Sequence, residues 1–324
     1  MNEHDGWCRS RWSLRSSMLG AVGWLILLVG SSQGYFPLGI IEQLFLLAPL
    51  VIVPLALVPA LTSSHRVENG RFYRLAVFLQ PFVAVLLVGS FVLPAGLPAG
   101  VLACGWLLMS SLVGLLGLSR FLQGRDLGLE AICFNAGFLY LSIGAAWLVA
   151  SRSGMSLFGF GEPIVLLTAV HFHYTGFVAT LLTGSAGLVL GGSLSWARCL
   201  YRFVGPAVVI GPPLLATGFV FSPVLKVMGV LMLASGLIGL GVLFIVLVPR
   251  LRSVLSQGLL VISTGSLVGG MVLACAYGVG EFTGNLWISI PQMARTHGIL
   301  NSLGFSLCGL LAFVLHSERS HAAP

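Results

Sequence analysis

Ten apolar runs, each near the length a bilayer demands, leave this chain little choice but a bundle of membrane-spanning helices. A span needs about 20 apolar residues. Runs at roughly 17–33, 40–61, 74–93, 97–118, 129–150, 163–191, 203–221, 224–248, 258–280 and 292–315 meet or approach that length. The first and the seventh are the weakest. The segments between the runs are too short for a soluble domain. The sequence therefore predicts an all-α integral membrane bundle of about ten transmembrane helices. Residues 1–324 read as a single transmembrane domain, with 1–16 a cytoplasmic N-terminal segment and 316–324 a cytoplasmic tail.

Composition excludes the soluble alternatives. Charged residues make up 8% of the 324, hydrophobic ones 57%, and mean hydropathy is +1.02. A water-soluble chain could not hide so much apolar surface, because folding still leaves much of it exposed. The net charge of +7 does not signal nucleic acid, since the basic residues fall between the apolar runs. Six cysteines (Cys8, Cys104, Cys133, Cys199, Cys275 and Cys308) show no CxxC spacing and read as packing residues. Arg9, Arg11 and Arg15 before the first run mimic a signal peptide, but no small-x-small cleavage site follows, so a retained helix is expected.

Those basic residues also predict direction. The N-terminus holds Arg9, Arg11 and Arg15; the even loops hold Arg66, Arg71, Arg74, Arg120, Arg125, Arg198, Arg202, Arg250 and Arg252; the C-terminus holds Arg319. That is thirteen on one side against Arg152, Lys226 and Arg295 on the other. The positive-inside rule puts both termini in the cytoplasm. The chain also echoes itself. Helix two carries Pro49, Pro54 and Pro59 and helix seven Pro206, Pro212 and Pro213, while Asn135-Ala-Gly-Phe138 in helix five resembles Asn301-Ser-Leu-Gly-Phe305 in helix ten. Two inverted five-helix halves would produce such echoes.

An ionisable group at membrane depth costs a few kcal/mol and needs a reason to be there. Helix six carries His171-Phe-His-Tyr-Thr-Gly-Phe177, helix ten Arg295-Thr-His-Gly-Ile-Leu-Asn301, and helix five Glu130 and Asn135. Counting 1.5 Å per residue from the outer ends puts His171 and His173 about 12–15 Å deep, His297 about 8 Å and Asn301 about 13 Å. His297 and Asn301, four apart, share a helix face, so the amide can orient the imidazole. His171 and His173, two apart, diverge by about 200° on a regular helix. That divergence argues against a paired metal site, since a helical two-histidine ligand pair needs i,i+4 spacing. No metal and no cofactor are expected. Three histidines and an amide at one level predict instead a buried polar pocket between helices six and ten. Glu42, Glu162 and Glu281 border loops and read as interfacial. Glu130 reads as solvated or paired with Arg125.

The HFHYTGF run from His171, the EFTGN run from Glu281 and the THGILNSLGF run from Thr296, with Glu130 and Asn135, make the chain resemble the YndJ-like family of bacterial polytopic membrane proteins. The resemblance implies a multi-pass protein of the bacterial cell membrane in which the histidine motifs matter, and supplies no reaction. Some relatives carry a soluble C-terminal extension; this chain ends nine residues after Leu315, so the function of such an extension is not expected of it.

Two functions compete. In the first, the chain is an intramembrane enzyme using His171, His173, His297, Asn301, Glu130, Asn135 and Tyr174 for acid/base chemistry: isomerisation, cyclisation or epoxide opening of a lipid-soluble, isoprenoid-like substrate. Phe138, Tyr140, Phe172, Phe177 and Phe305 would wall an apolar or cationic intermediate. In the second, Pro-interrupted helices and midplane histidines serve a proton-coupled transporter of a small apolar or neutral solute. The expected partners are the bilayer and a hydrophobic small molecule, with no nucleic acid.

Overall fold

The structure, a computed structural model, describes residues 3–58, 71–124, 128–191 and 195–321; Pro59, Arg66, Arg125 and Pro324 lie outside the described residues. Among the described residues, ten helices appear at the ten apolar runs. They are α1 (Glu3–Ser32), α2 (Ile40–Ala56), α3 (Arg71–Val92), α4 (Leu97–Leu122), α5 (Leu129–Arg152), α6 (Ile164–Leu190), α7 (Ser195–Phe221), α8 (Pro223–Leu247), α9 (Val254–Thr283) and α10 (Ile290–Ser317). Among the described residues, nine are long and apolar enough to cross a membrane. Large apolar side chains such as Leu19, Phe78, Val85, Leu108 and Leu231 stand exposed on them, as a lipid-facing surface requires.

The shortest helix is α2, whereas α7, expected to be weak, runs 27 residues with Pro206, Pro212 and Pro213 inside it. Burial explains how α2 can be short: every residue from Leu44 to Val58 is buried. Its hydrocarbon-matching length matters less when protein surrounds it. Ala48–Ile52 forms a π-helical turn in which hydrogen bonds reach five residues back, as from Val53 to the Ala48 carbonyl. Pro54 cannot continue that pattern to the Pro49 carbonyl, because it lacks an N–H. Gln80 of α3 donates to that carbonyl instead, at 2.7 Å, and Ser17 of α1 donates to the Val51 carbonyl at 2.9 Å. No water is available in hydrocarbon to do this, so side chains must.

Contacts gather into two units. The first holds Met1–Arg125 and Asn135–His173, the second Asp126–Phe134 and Tyr174–Pro324. In the first, α1 presses Gly20 against the Leu50 carbonyl, and α4 meets α5 where Gly117 lies 2.6 Å, at a would-be Cβ, from the Asn135 carbonyl. In the second, α7 and α8 form a hairpin with close approaches at Gly211 on Leu233, Gly229 on Leu215, Gly236 on Ala207 and Gly239 on Val204. The α9–α10 pair has the same character, with Gly270 against Asn301 and Gly304 against Ser266. Small residues let backbones approach where lipid gives no hydrophobic drive between helices.

π-helical segments occur in α2, in α6 (Phe172–Val178) and in α10 (Ala294–Gly298 and Leu300–Leu307). A five-helix repeat would match helix two with seven and five with ten. The described segments of α5 and α7 are α-helical, so the wide turns do not mirror that pairing.

Candidate functional site

Helix α6 is α-helical through His171 and widens at Phe172. The two histidines flank that change and face different surroundings. His171 is exposed, with Nδ1 2.7 Å from the Leu167 carbonyl of its own helix. His173 is fully buried. Its Nδ1 lies 2.8 Å from the Ala169 carbonyl, and its Nε2 lies 3.0 Å from the indole Nε1 of Trp106 on α4. A carbonyl only accepts and an indole N–H only donates, so the partners dictate the proton: Nδ1 carries it and Nε2 accepts. His173 is thus a neutral imidazole with both nitrogens engaged. Phe45 packs edge-on at 5.0 Å between ring centres, and a Cβ on Gly144 would come within 2.7 Å of Nδ1.

Helix α10 begins with a capping box, in which Ser289 and Gln292 satisfy each other's backbone N–H groups. One turn later the helix widens and presents His297, half-buried. His297 Nδ1 sits 2.8 Å from the Gly270 carbonyl on α9. Asn301 places Nδ2 at 2.8 Å from the His297 carbonyl and 3.1 Å from Nδ1. Nδ1 cannot donate to Gly270 and also accept from the amide. The carbonyl has no hydrogen to give, so Nδ1 carries the proton and the amide hydrogen bond goes to the backbone oxygen. In the neutral ring, Nε2 then holds the lone pair. Gly270 permits this approach: a Cβ there would meet Asn301 Nδ2 at 2.6 Å.

Glu130 pairs with Arg198 of α7 at 2.8 Å, both partly exposed. Arg125, the partner considered from sequence, lies outside the described residues. Asn135 is buried, and its Oδ1 has no hydrogen-bond partner among the described residues. Tyr140 is buried with its ring 5.9 Å from that of Phe172. Tyr174, Phe138, Phe177 and Phe305 are buried, Phe305 stacked on Phe244 at 6.3 Å. His171, His173, Asn135, Phe138, Tyr140 and Phe172 fall in the first unit; His297, Asn301, Glu130, Tyr174, Phe177 and Phe305 fall in the second. Among the described residues, no group of three or more His, Cys, Asp or Glu side chains is placed to hold a metal ion.

Sequence reading missed Trp106. A usable signal existed, because a buried indole N–H needs an acceptor. Trp106 lies nine residues into α4 and His173 nine into α6, so both sit about 14 Å from their helix starts. Gly270 carried no such signal; its carbonyl is a backbone group that any residue supplies.

The model of the YndJ-like protein family matches residues 43–305, which takes in both histidine motifs. The chain belongs to the YndJ-like family. Within it, the "Uncharacterized membrane protein YndJ" of Bacillus subtilis (strain 168) is 26% identical over 290 residues, covering 87% of this chain and 50% of that protein. The chain therefore spans about half the length of that relative. No solved structure matches.

Proposed function

We propose that this chain is an intramembrane enzyme that carries out acid/base chemistry on a lipid-soluble substrate, with His297 as the base and Asn301 as the amide that holds the backbone of its turn. One observation carries the reading: the half-buried His297 has its Nδ1 proton fixed by the Gly270 carbonyl of the neighbouring helix, which sets the tautomer of the ring. A base held in one tautomer by a second group is a recurring catalytic arrangement. The wide turns of α10 support it, since π-helical segments frequently accompany functional sites. The reaction class is isomerisation, cyclisation or epoxide opening, and Tyr174, Phe177 and Phe305 of the same unit are proposed to serve the substrate. His173 is assigned a structural role, because both its nitrogens are engaged. His171, exposed on α6, is the comparison base.

The test is conversion in detergent. Lipid extracts from a deletion strain are incubated with purified protein and followed by mass spectrometry. The wild type is expected to yield a product of equal mass, or one heavier by water, and H297A and N301A are expected to yield none. Loss of conversion in H171A with retention in H297A would move the base to α6. Solute uptake into sealed proteoliposomes, with no conversion in detergent, would replace the enzyme by a proton-coupled transporter.

A further inference from the structure

The first unit contains a second polar feature that the histidines do not use. A cavity of about 360 Å³ opens where α2 starts and α3 and α5 end, lined by Pro37, Glu42, Phe91, Leu93 and Arg152 among others. Arg152 has an ordinary duty here. Its Nη2 donates to the carbonyls of Ser90 and Leu93 at 3.0 and 2.8 Å, capping the negative end of α3. Its guanidinium lies 4.7 Å above the Phe91 ring. That duty leaves donors over. Nε is buried without a hydrogen-bond partner among the described residues.

The acidic groups nearby do not absorb them. Glu42 and Glu162 both act on Arg152 electrostatically, yet neither comes within ion-pair distance of it. Glu42 lines the same cavity, and Glu162 accepts from the Leu166 N–H at 3.3 Å. Opposite charges held apart around one cavity suit a ligand that carries both signs. The cavity wall itself carries one guanidinium, Arg152, and one carboxylate, Glu42, which matches an occupant with one charge of each sign.

We propose that this cavity binds a small zwitterion, its anionic oxygen on Arg152 and its ammonium on Glu42, with Pro37, Phe91 and Leu93 packing against the carbon linking them. Binding sites run from about 300 to 1,000 Å³. A volume near the lower limit fits a headgroup or an amino-acid-sized molecule and not a whole lipid. The shared chemistry is an amine and an acid in one small group, supplied either by an aminophospholipid headgroup or by a free solute. The cavity residues belong to the first unit and His297 to the second.

Thermal stabilisation of the purified full chain decides it. Nanodiscs of phosphatidylcholine are doped with phosphatidylethanolamine or with phosphatidylglycerol, and a parallel series in plain nanodiscs receives free phosphoethanolamine. Phosphatidylethanolamine or free phosphoethanolamine is expected to raise the melting temperature, phosphatidylglycerol to do so far less. The half-saturating concentration should rise about tenfold in E42Q, the effect of losing one charge-assisted contact. R152K, which keeps the charge and loses the planar fork, should bind more weakly than wild type. Stabilisation by the lipid alone assigns the headgroup; stabilisation by the free amine-phosphate alone assigns a soluble ligand. Equal response to phosphatidylglycerol, no response to either zwitterion, or an unchanged E42Q would overturn the proposal.

Discussion

Each of the two units sets a histidine against a neighbouring helix, fully buried in one and half-buried in the other, and they use it differently. His173 is sealed: an indole on one nitrogen, a carbonyl on the other, and no exposure. His297 is half-buried, anchored to a carbonyl on the next helix, with an amide beside it. Residue type and depth alone would make them equals. The difference lies in burial and in the anchor: His173 is sealed between its own helix and an indole of α4, whereas His297 is anchored to a carbonyl of α9 and keeps part of its surface open. One ring is thereby suited to stiffen a bundle and the other to accept a proton.

Direction in the membrane decides from which face each ring is reached. The thirteen-to-three bias of basic residues predicts an all-or-none result. A reporter active only outside the cytoplasm should be silent after Pro324 and active when inserted near Gly96. Activity at the C-terminus would invert the direction from which both histidines are reached.

The next largest effect separates the rings by function. H297A should lower turnover by about 10²- to 10⁴-fold, the usual worth of a general acid or base, with little change in melting temperature. H173A should do the reverse, cutting yield and thermal stability. If H297A instead melts early and H173A only loses turnover, the two roles are exchanged.

A smaller effect tests the sealing contact. W106F removes the indole donor and leaves His173 Nε2 buried and unpaired, which costs about 1–3 kcal/mol. The loss should appear as an earlier thermal transition. An unchanged transition would mean that the indole bond contributes nothing and that His173 has a lone pair to spare.

Effects of similar size, split between two readouts, come from paired glycines. G144A drives a Cβ to 2.7 Å from His173 Nδ1 and 3.0 Å from the Phe172 Cβ; G270A meets the end of the Asn301 amide at 2.6 Å. Overpacking of this kind costs about 1–3 kcal/mol, and the amide, being a side-chain end, can move further to relieve it. G144A should therefore lower the melting temperature more, while G270A should lower turnover more than stability.

Much of the fold was legible because hydropathy has one dominant cause in a bilayer. Among the described residues each of the ten runs holds a helix, with ends shifted by several residues and α1 starting at Glu3, well before the expected 17. The brevity of α2 was not legible, since its buried surroundings come from α1, α3 and α6, and an apolar run looks the same beside lipid or protein. Within the site, spacing foretold the His297–Asn301 contact and the divergence of His171 from His173. The partners across helices were not foretold. Trp106 is 67 residues from His173, and the Gly270 carbonyl belongs to no side chain. The Glu130–Arg198 pair joins groups 68 residues apart and was equally hidden.

The wide turns of α2, α6 and α10 have a consequence for how this chain tolerates lost residues. Each residue of a regular helix advances the face by about 100°, so deleting one from the middle of α9 would rotate everything beyond it away from its neighbours. A π segment already accommodates a residue more than the α pattern needs. Removing one from Leu300–Leu307 lets that stretch relax to ordinary α geometry while the flanking faces keep their direction. Lineages that shorten this protein by single residues should do so at the wide turns.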